Sequence, residues 1–509
     1  ADDQPIVIYG DYDVDGITAA SILWHMLDHL GAERVSIYVP HRIDEGYGLN
    51  AEALDQLRQS HDPPPLVVSV DCGITAMAEA DHARAIGLEL IITDHHELPT
   101  GDLPDAAALV HPRLPGSAYP FGQLCGAGVA FKLAWQIARA VTGCAQKLPE
   151  AAQRLLLNLL SLAALGTVAD VVPLVDENRV ITMYGLGQIK RTRLVGLDAL
   201  LDAARLRDEK VDAYHVGFVL GPRLNACGRM GHARRAAELL TTTDRARAAE
   251  IADFLTRENE NRRTIERRIT TEAAQIVLDS GWASDDHRAI VVAGENWHAG
   301  VIGIVASRLV DRFHRPAVVL NLEGETAQGS ARSVEGVSIH EALGAGAELL
   351  DSFGGHAMAA GLTLKAGRVD ALRERLVEFV NDRLRPEDLR PALTIDAVCS
   401  AEELTRELFE AIDRLQPFGR GNRSPTLVTR AVTDRHPMRV GQGGKHLKMS
   451  LRVGAAGGRS LLSAIGFGLG DWADELAAGV PLDVAFEPKI STWNGQRRAE
   501  MVVKDLRRV

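Results

Sequence analysis

Residues 1–115 alternate between short apolar runs and segments of helical apolar spacing, and nothing else in the chain constrains the fold as strongly. The runs IVIYG (6–10), VSIYV (35–39), LVVSV (66–70), ELIIT (89–93) and AALVH (107–111) have the length of buried strands. Between several of them lie stretches such as ITAASILWHMLDHL and ITAMAEADHARAIG, whose apolar residues recur about every 3.6 positions. Strands apolar at nearly every position are buried on both faces, as in a parallel sheet flanked by helices. The expected class is therefore α/β, built on a parallel sheet.

Such a sheet has a chemical consequence. All its C-terminal strand ends share one edge, and ligands bind along that edge. Asp11, Asp13 and Asp15 follow the first run, Asp71 follows the third in VVSVDCG, and Asp94, His95 and His96 follow the fourth in ELIITDHHE. Asp170, in GTVADVVPL, stands between apolar stretches, where an unpaired carboxylate is costly. Taken singly, an aspartate after a strand is most often a turn or a helix cap. Three such motifs converging on one edge call for cations instead. Oxygen donors with one or two imidazoles suit Mn²⁺, admit Mg²⁺ and suit zinc less, and so many carboxylates fit two ions sharing Asp71.

At 509 residues the chain exceeds what one hydrophobic core fills. Residues 244–280 contain neither Gly nor Pro and nearly balance acids with bases, which predicts a solvated connecting helix of roughly 55 Å. A second, smaller α/β unit is expected around RAIVVAG, GVIGIVASRLV and PAVVLN, followed by a linker at RPEDLRPA. After a helix at 401–415, the stretches PTLVTRAV, KHLKMSLRV, RSLLSAIGF, PLDVAFEP and EMVVKDL predict five short strands of an OB-like or related small barrel. The expected domains are 1–205, 206–284, 285–388 and 392–509.

The net charge of −12 argues against a protein that merely coats nucleic acid. Yet residues 416–453 carry Arg420, Arg423, Arg430, Arg435, Arg439, Lys445, Lys448 and Arg452 against Asp434 alone, with Phe418 and His446 as candidate stacking partners. A basic, partly aromatic barrel suits single-stranded nucleic acid. The five cysteines fit neither a zinc ribbon nor a disulfide framework, so a reducing cytoplasm is expected. No uncharged apolar run has the length of a membrane span, and none is expected. The chain opens on Ala1 rather than Met, which suggests a trimmed or processed form.

The set GDYDVDG, VDCG, TDHHE and TVADVVPL resembles the DHH phosphoesterase superfamily. GENWHAGVIGIVASRL, GSARS, GGHAMAAG and QPFGRGNRSP narrow the resemblance to the RecJ family of single-strand-specific 5′→3′ DNA exonucleases, over nearly the whole chain. The resemblance implies a DHH catalytic domain, a DHHA1-like substrate domain and an OB-like barrel. It implies metal ligation by Asp13, Asp15, Asp71, His95 and Asp170, with Asp11 on a second ion. It also implies a substrate-facing His96 and an Asp94 that buttresses the histidines; Asp15, Asp71 and His96 are the residues expected to carry catalysis.

Phosphate contacts are expected from Arg332 and Ser330 in QGSARS, His356 in GGHAMAAG, Asn225 and Arg229 in GPRLNACGRMG, and Arg42 in VPHRIDEGYG. The implied function is metal-dependent 5′→3′ hydrolysis of single-stranded DNA in repair and recombination. A monomer is expected, with single-strand-binding protein and a helicase as partners. The alternatives are a DHH phosphodiesterase for cyclic dinucleotides or very short RNA, and a non-enzymatic DNA-binding scaffold; the family ordinarily carries a further segment ahead of the first motif.

Overall fold

The computed structural model describes residues 4–41, 48–144, 146–229, 233–453, 460–493 and 496–509. The chain divides into two compact units: Ala1–Asp170 with Gly185–Pro391, and Val171–Tyr184 with Ala392–Val509.

The first sheet comprises β1 (Ile6–Gly10), β2 (Val35–Tyr38), β3 (Leu66–Val70), β4 (Glu89–Thr93) and β5 (Ala108–Val110). All pairs are parallel and the order is β2-β1-β3-β4-β5. The winding reverses between β1 and β3, which leaves a crevice beyond their C-terminal ends. Val7, Ile8, Val67 and Ile92 are buried, as the unbroken apolar runs require. Helices Val14–His29, Gly126–Thr142 and Glu150–Ala169 pack on one another beside this sheet.

Glu150–Ala169 departs from the sequence reading. It is long and apolar enough to cross a membrane by length and composition, but 56% of its most apolar window is buried inside the protein. Its apolar face serves packing against the two neighbouring helices.

Residues 245–279 form one 35-residue helix, Arg245–Asp279, begun by Asp244, whose side chain accepts from the Ala246 and Arg247 amides. This helix is not solvated all round, as its charge balance suggested. A stripe through Ile251, Leu255, Asn259, Arg262, Glu266, Ile269 and Val277 is buried. The polar middle of the stripe satisfies itself: Arg262 pairs with Glu266 at 2.7 Å and donates to Asn259 at 2.9 Å.

The second sheet holds β6 (Ile290–Glu295), β7 (Ala317–Glu323), β8 (Thr326–Arg332), β9 (Leu350–His356) and β10 (Ala359–Lys365), in the order β6-β7-β8-β10-β9. β6 and β7 are parallel, joined through the helix Ala299–Phe313; the remaining pairs are antiparallel.

The second unit contains β11 (Ala397–Val398), β12 (Leu427–Thr433), β13 (Met438–Val440), β14 (His446–Val453), β15 (Ser460–Gly466), β16 (Pro481–Trp493) and β17 (Gln496–Arg508). A ring β12-β16-β17-β15-β14 closes through β12–β14 pairing, with β15–β17 its parallel contact. These are the five strands read from the sequence, closed as in an OB-fold. Val171–Tyr184 joins this unit, where the Leu174 amide donates to the Arg420 carbonyl at 2.7 Å.

Candidate metal centre

The acids are brought in by three strand ends. After β1, Asp13 caps the helix Val14–His29 by accepting from the Asp15 and Gly16 amides at 2.8 and 3.2 Å. After β3, Asp71 adopts a φ of 62°, a left-handed conformation that aspartate tolerates. Its amide donates to the Thr93 carbonyl at 3.0 Å, tying the ends of β3 and β4 together. After β4, Asp94 accepts from the amides of Ile74 (2.9 Å), His95 (2.6 Å) and His96 (3.1 Å), and bonds His96 Nδ1 at 2.7 Å.

The helix Gly126–Thr142 begins against this cluster. Its Gly126 and Ala127 amides donate to the two oxygens of Asp15 at 2.6 and 2.8 Å, so the positive helix end holds that carboxylate. A Cβ on Gly126 would lie 2.6 Å from Asp71 Oδ1, and one on Gly166 would strike Asp15 Oδ1. Glycine at these two positions is what admits the acids. Neither is marked in the sequence, because close approach between distant segments leaves no local pattern.

Three sets of side chains bring their donor atoms within 4.8 Å of one another: Asp71, His95 and His96; Asp15, His95 and Asp170; and Asp11, Asp13 and Asp71. Asp71 and His95 are each shared by two sets. His95 Nε2 lies 3.1 Å from Asp71 Oδ1, 3.6 Å from Asp170 Oδ2 and 3.7 Å from Asp15 Oδ2. The 3.1 Å approach is close enough for an ion pair but lacks hydrogen-bond alignment, so both buried atoms go without a hydrogen bond. Orphaned buried donors beside four further carboxylates fit hard divalent cations such as Mn²⁺ or Mg²⁺. All six proposed ligands thus converge.

The electrostatics agree. Burial, and then Asp15, Asp13, Asp11 and Asp170, push the Asp71 carboxyl well above its ordinary range. Burial and Asp15 raise Asp13 likewise. Burial keeps His95 below the usual imidazole range, which favours its neutral, metal-ligating form. His96 behaves oppositely: burial disfavours its charge, but the Asp94 hydrogen bond and carboxylate raise it to about 9. Asp94 is held at about 2, its burial outweighed by His96 and by the backbone amides.

One residue of this region escaped the sequence reading. Arg113 donates to the carbonyls of His95 (2.8 Å) and His96 (3.0 Å) and to Glu97 (2.9 Å), while His111 Nε2 contacts the His96 carbonyl at 2.8 Å. The signal was available, since HPR follows the fifth apolar run on the same sheet edge.

Of the expected phosphate contacts, Asn225 reaches the metal loop, its Oδ1 accepting from the Val14 amide at 3.1 Å. Exposed His356, at the end of β9, lies close enough to act on the charge of Glu97. Ser330 and Arg332 stand together on β8, where a Cβ on Gly303 would lie 3.1 Å from Ser330 Oγ and 3.0 Å from Arg332 Nη2. Arg42 lies outside the described residues. Arg229 ends the helix Gly221–Arg229, and its side chain is likewise outside the description.

In the barrel, the basic run is less bare than the sequence suggested. Arg423 pairs with Asp396, Arg430 with Asp483, Arg439 with Asp471 and Asp474, Lys448 with Glu500, and Arg435 and Arg452 with Asp434. The acids come from elsewhere in the same unit. Phe418 packs partly buried against the barrel core, whereas His446 meets the exposed Phe467 edge-on at 5.3 Å.

Residues 5–167 match the DHH family, N-terminal domain; residues 286–382 match the DHHA1 domain; and residues 395–505 match the RecJ OB domain. The single-stranded-DNA-specific exonuclease RecJ of Bacillus subtilis is 41% identical over 504 residues, covering 99% of this chain and 61% of that protein. The chain thus spans about three fifths of the length of that relative. The exonuclease RecJ of Dickeya dadantii is 35% identical, with 99% of this chain and 88% of that protein covered. Among solved structures, RecJ from Thermus thermophilus in complex with Mn²⁺ superposes with a TM-score of 0.80 at 30% identity, over 99% of this chain and 69% of that one. Its Mg²⁺ complex gives 0.74, with 30% identity over 99% of this chain and 67% of that one.

Proposed function

The chain belongs to the RecJ family of single-stranded-DNA-specific exonucleases, and from that premise we propose that it removes nucleotides from the 5′ end of single-stranded DNA with the help of divalent metal ions. The observation that carries this reading is the shared use of Asp71 and His95 by the donor sets, a geometry suited to two neighbouring cations. When bound, such ions lower the pKa of a water and offset charge on the attacked phosphate.

The chain's own residues divide the remaining work. Asp11, Asp13, Asp15, Asp71, His95 and Asp170 hold the ions, and Asp71 bridges them. The Gly126 and Ala127 amides fix Asp15 in one orientation. Asp94 keeps His96 protonated and oriented, so that a positive imidazolium faces the scissile phosphate as its charge grows. Arg113 clamps the backbone that carries both histidines. Ser330, Arg332, His356, Asn225, Arg229 and Arg42 bind phosphates of the strand, and the barrel adds affinity for its single-stranded continuation. A cytoplasmic monomer acting in repair and recombination, with single-strand-binding protein and a helicase as partners, accords with five free thiols.

The test is incubation with Mn²⁺ and single-stranded DNA labelled separately at each end. Early release of short labelled product from the 5′-labelled strand alone is the expected result. Early release from the 3′-labelled strand would overturn the polarity, and cleavage confined to dinucleotides would overturn the substrate class.

A further inference from the structure

We propose that Tyr214 and Phe218 form a stacking subsite for unpaired nucleobases of the substrate strand, at the margin of the metal centre. This inference rests on the exonuclease reading above. Residues 213–229 form one continuous helical run with a π turn at Val216–Leu220. Its start is fixed by a reciprocal cap: Asp212 accepts from the His215 amide at 3.2 Å, and the His215 ring bonds back to Asp212 at 2.6 Å.

One stripe of this run lies along the metal loops. A Cβ on Gly221 would sit 3.9 Å from Ala169, the residue before Asp170. Asn225 holds the Val14 amide at 3.1 Å, and a Cβ on Gly228 would press on the Tyr12 carbonyl at 2.8 Å. Positions 221, 225 and 228 follow the spacing of a single helix face.

The same spacing carried backwards from Gly221 reaches Phe218 and Tyr214, about 4.5 and 10 Å further along the axis. Here the stripe has run past the protein that covers its other half. Phe218 is 70% exposed and Tyr214 62% exposed, and their rings stack with centroids 4.9 Å apart. The π turn between this aromatic half and the packed half is a feature that recurs at functional sites.

Two solvent-facing rings held rigidly beside a phosphodiester-cleaving centre match the chemistry of a strand that offers a π face at every residue. Such stacking tolerates any base, as a sequence-independent exonuclease requires. On the adjacent face, Arg223 donates to the Val219 carbonyl at 2.6 Å and feels Arg263 and Glu260 nearby, so cationic charge accompanies the rings. The acids near Tyr214, Asp212 and Glu209, are engaged by His215.

The experiment uses the full chain with Mn²⁺ and single-stranded oligonucleotides. Phe218→Ala and Tyr214→Ala should each raise KM roughly tenfold, within the range of one lost base–aromatic stack, with kcat at saturation nearly unchanged. Phe218→Leu should lose as much as Phe218→Ala, and Phe218→Trp should restore the parent value. A single abasic residue moved stepwise from the 5′ end should weaken the parent at one position. It should cost the Phe218→Ala enzyme nothing further there. Independently of turnover, quenching of 2-aminopurine at that position in EDTA should be lost in Phe218→Ala. Full function in Phe218→Leu, abasic effects unchanged by the substitution, or altered sedimentation mass with unaltered DNA parameters would overturn the subsite. A parent that leaves single strands intact would overturn the exonuclease reading itself, whereas an active parent with equally active variants would overturn only the stacking subsite.

Discussion

Asp71 concentrates the conflict that metal would resolve. It is buried among like charges, with its carboxyl pushed well up by burial and by four other aspartates. A carboxyl whose folded pKa exceeds its unfolded one stabilises the fold at low pH, and this contribution is lost as pH rises through the unfolded and then the folded value. Asp71→Asn should therefore raise the thermal midpoint of the metal-free protein at pH 7 while lowering kcat by about 10³-fold or more, roughly 4 kcal/mol at 1.36 kcal/mol per tenfold. Added Mn²⁺ should stabilise the parent much more than the variant. A variant no more stable than its parent without metal would show that the acids do not strain the fold. The Asp94–His96 pair carries the opposite sign. Asp94 is lowered to about 2 from 3.8 and His96 raised to about 9 from 6.5, so their attraction is fully present between those ordinary values and fades outside them. The stability difference between parent and Asp94→Asn, followed by thermal melting across pH, should be largest between about pH 4 and 6.5 and smaller by pH 9. A flat difference would deny the pair. Much of this centre was legible in the sequence, because a parallel sheet gathers DxDxD, VDCG and DHH onto one edge wherever they lie in the chain. Arg113 was legible in principle by the same rule. Gly126 and Gly166 were not, since their necessity comes from segments that meet only after folding.

At the scale of elements, the catalytic acids are held by helices as much as by strands. The N-terminus of Gly126–Thr142 holds Asp15, and Glu150–Ala169 crosses Val14–His29 so closely at Gly166 that a methyl group there would strike Asp15, come within 2.5 Å of the Ala127 Cβ and within 2.7 Å of Thr18 Oγ1. Gly166→Ala should cost about 1–3 kcal/mol of stability by overpacking and, by displacing Asp15, raise the Mn²⁺ concentration needed for half-maximal activity. Gly187→Ala, with nothing within 4 Å of the added carbon, is the matched control. If Gly166→Ala lost stability but kept its metal requirement, the crossing would be a packing contact with no hold on Asp15. Elements differed in how far the sequence disclosed them. Strands β1, β3 and β4 were plain because both faces are buried. Strands β8 and β10 were obscured by TAQGSAR and AAGLTLK, whose small and polar residues read as loop. The 35-residue helix was plain from its unbroken composition. Its buried stripe was not, because Asn259, Arg262 and Glu266 satisfy one another inside it and look solvated in sequence.

At the scale of the whole molecule, charge is partitioned. Residues 392–509 hold 17 basic and 14 acidic residues in a chain of net charge −12, so a mildly positive barrel accompanies a strongly acidic remainder. The sequence disclosed the basic run but not its pairing, since the neutralising acids Asp396, Asp483 and Glu500 lie outside it. Paired cations contribute less to phosphate binding than bare ones, because an existing ion pair must first be broken. Truncation at residue 392 is a poor probe of this partition. Val171–Tyr184 packs with the barrel segment 415–421 through Leu174 and Arg179, so the cut would strip that segment, which begins one residue after Asp170, of its partners. Single substitutions avoid the problem. Lys445 is exposed beside the His446–Phe467 ring pair, whereas Lys448 is bound to Glu500. If the barrel tracks the strand by neutralising its phosphates, the log–log salt slope of single-strand binding should become shallower by about 0.7 in Lys445→Ala, the value for one released phosphate contact. It should change much less in Lys448→Ala. Equal losses from both variants would mean that phosphate displaces Glu500 and that the pairing seen in the barrel does not govern binding. An unchanged slope in both would mean that the strand bypasses this face, leaving the acidic catalytic unit to hold its substrate through metal and the phosphate-binding residues alone.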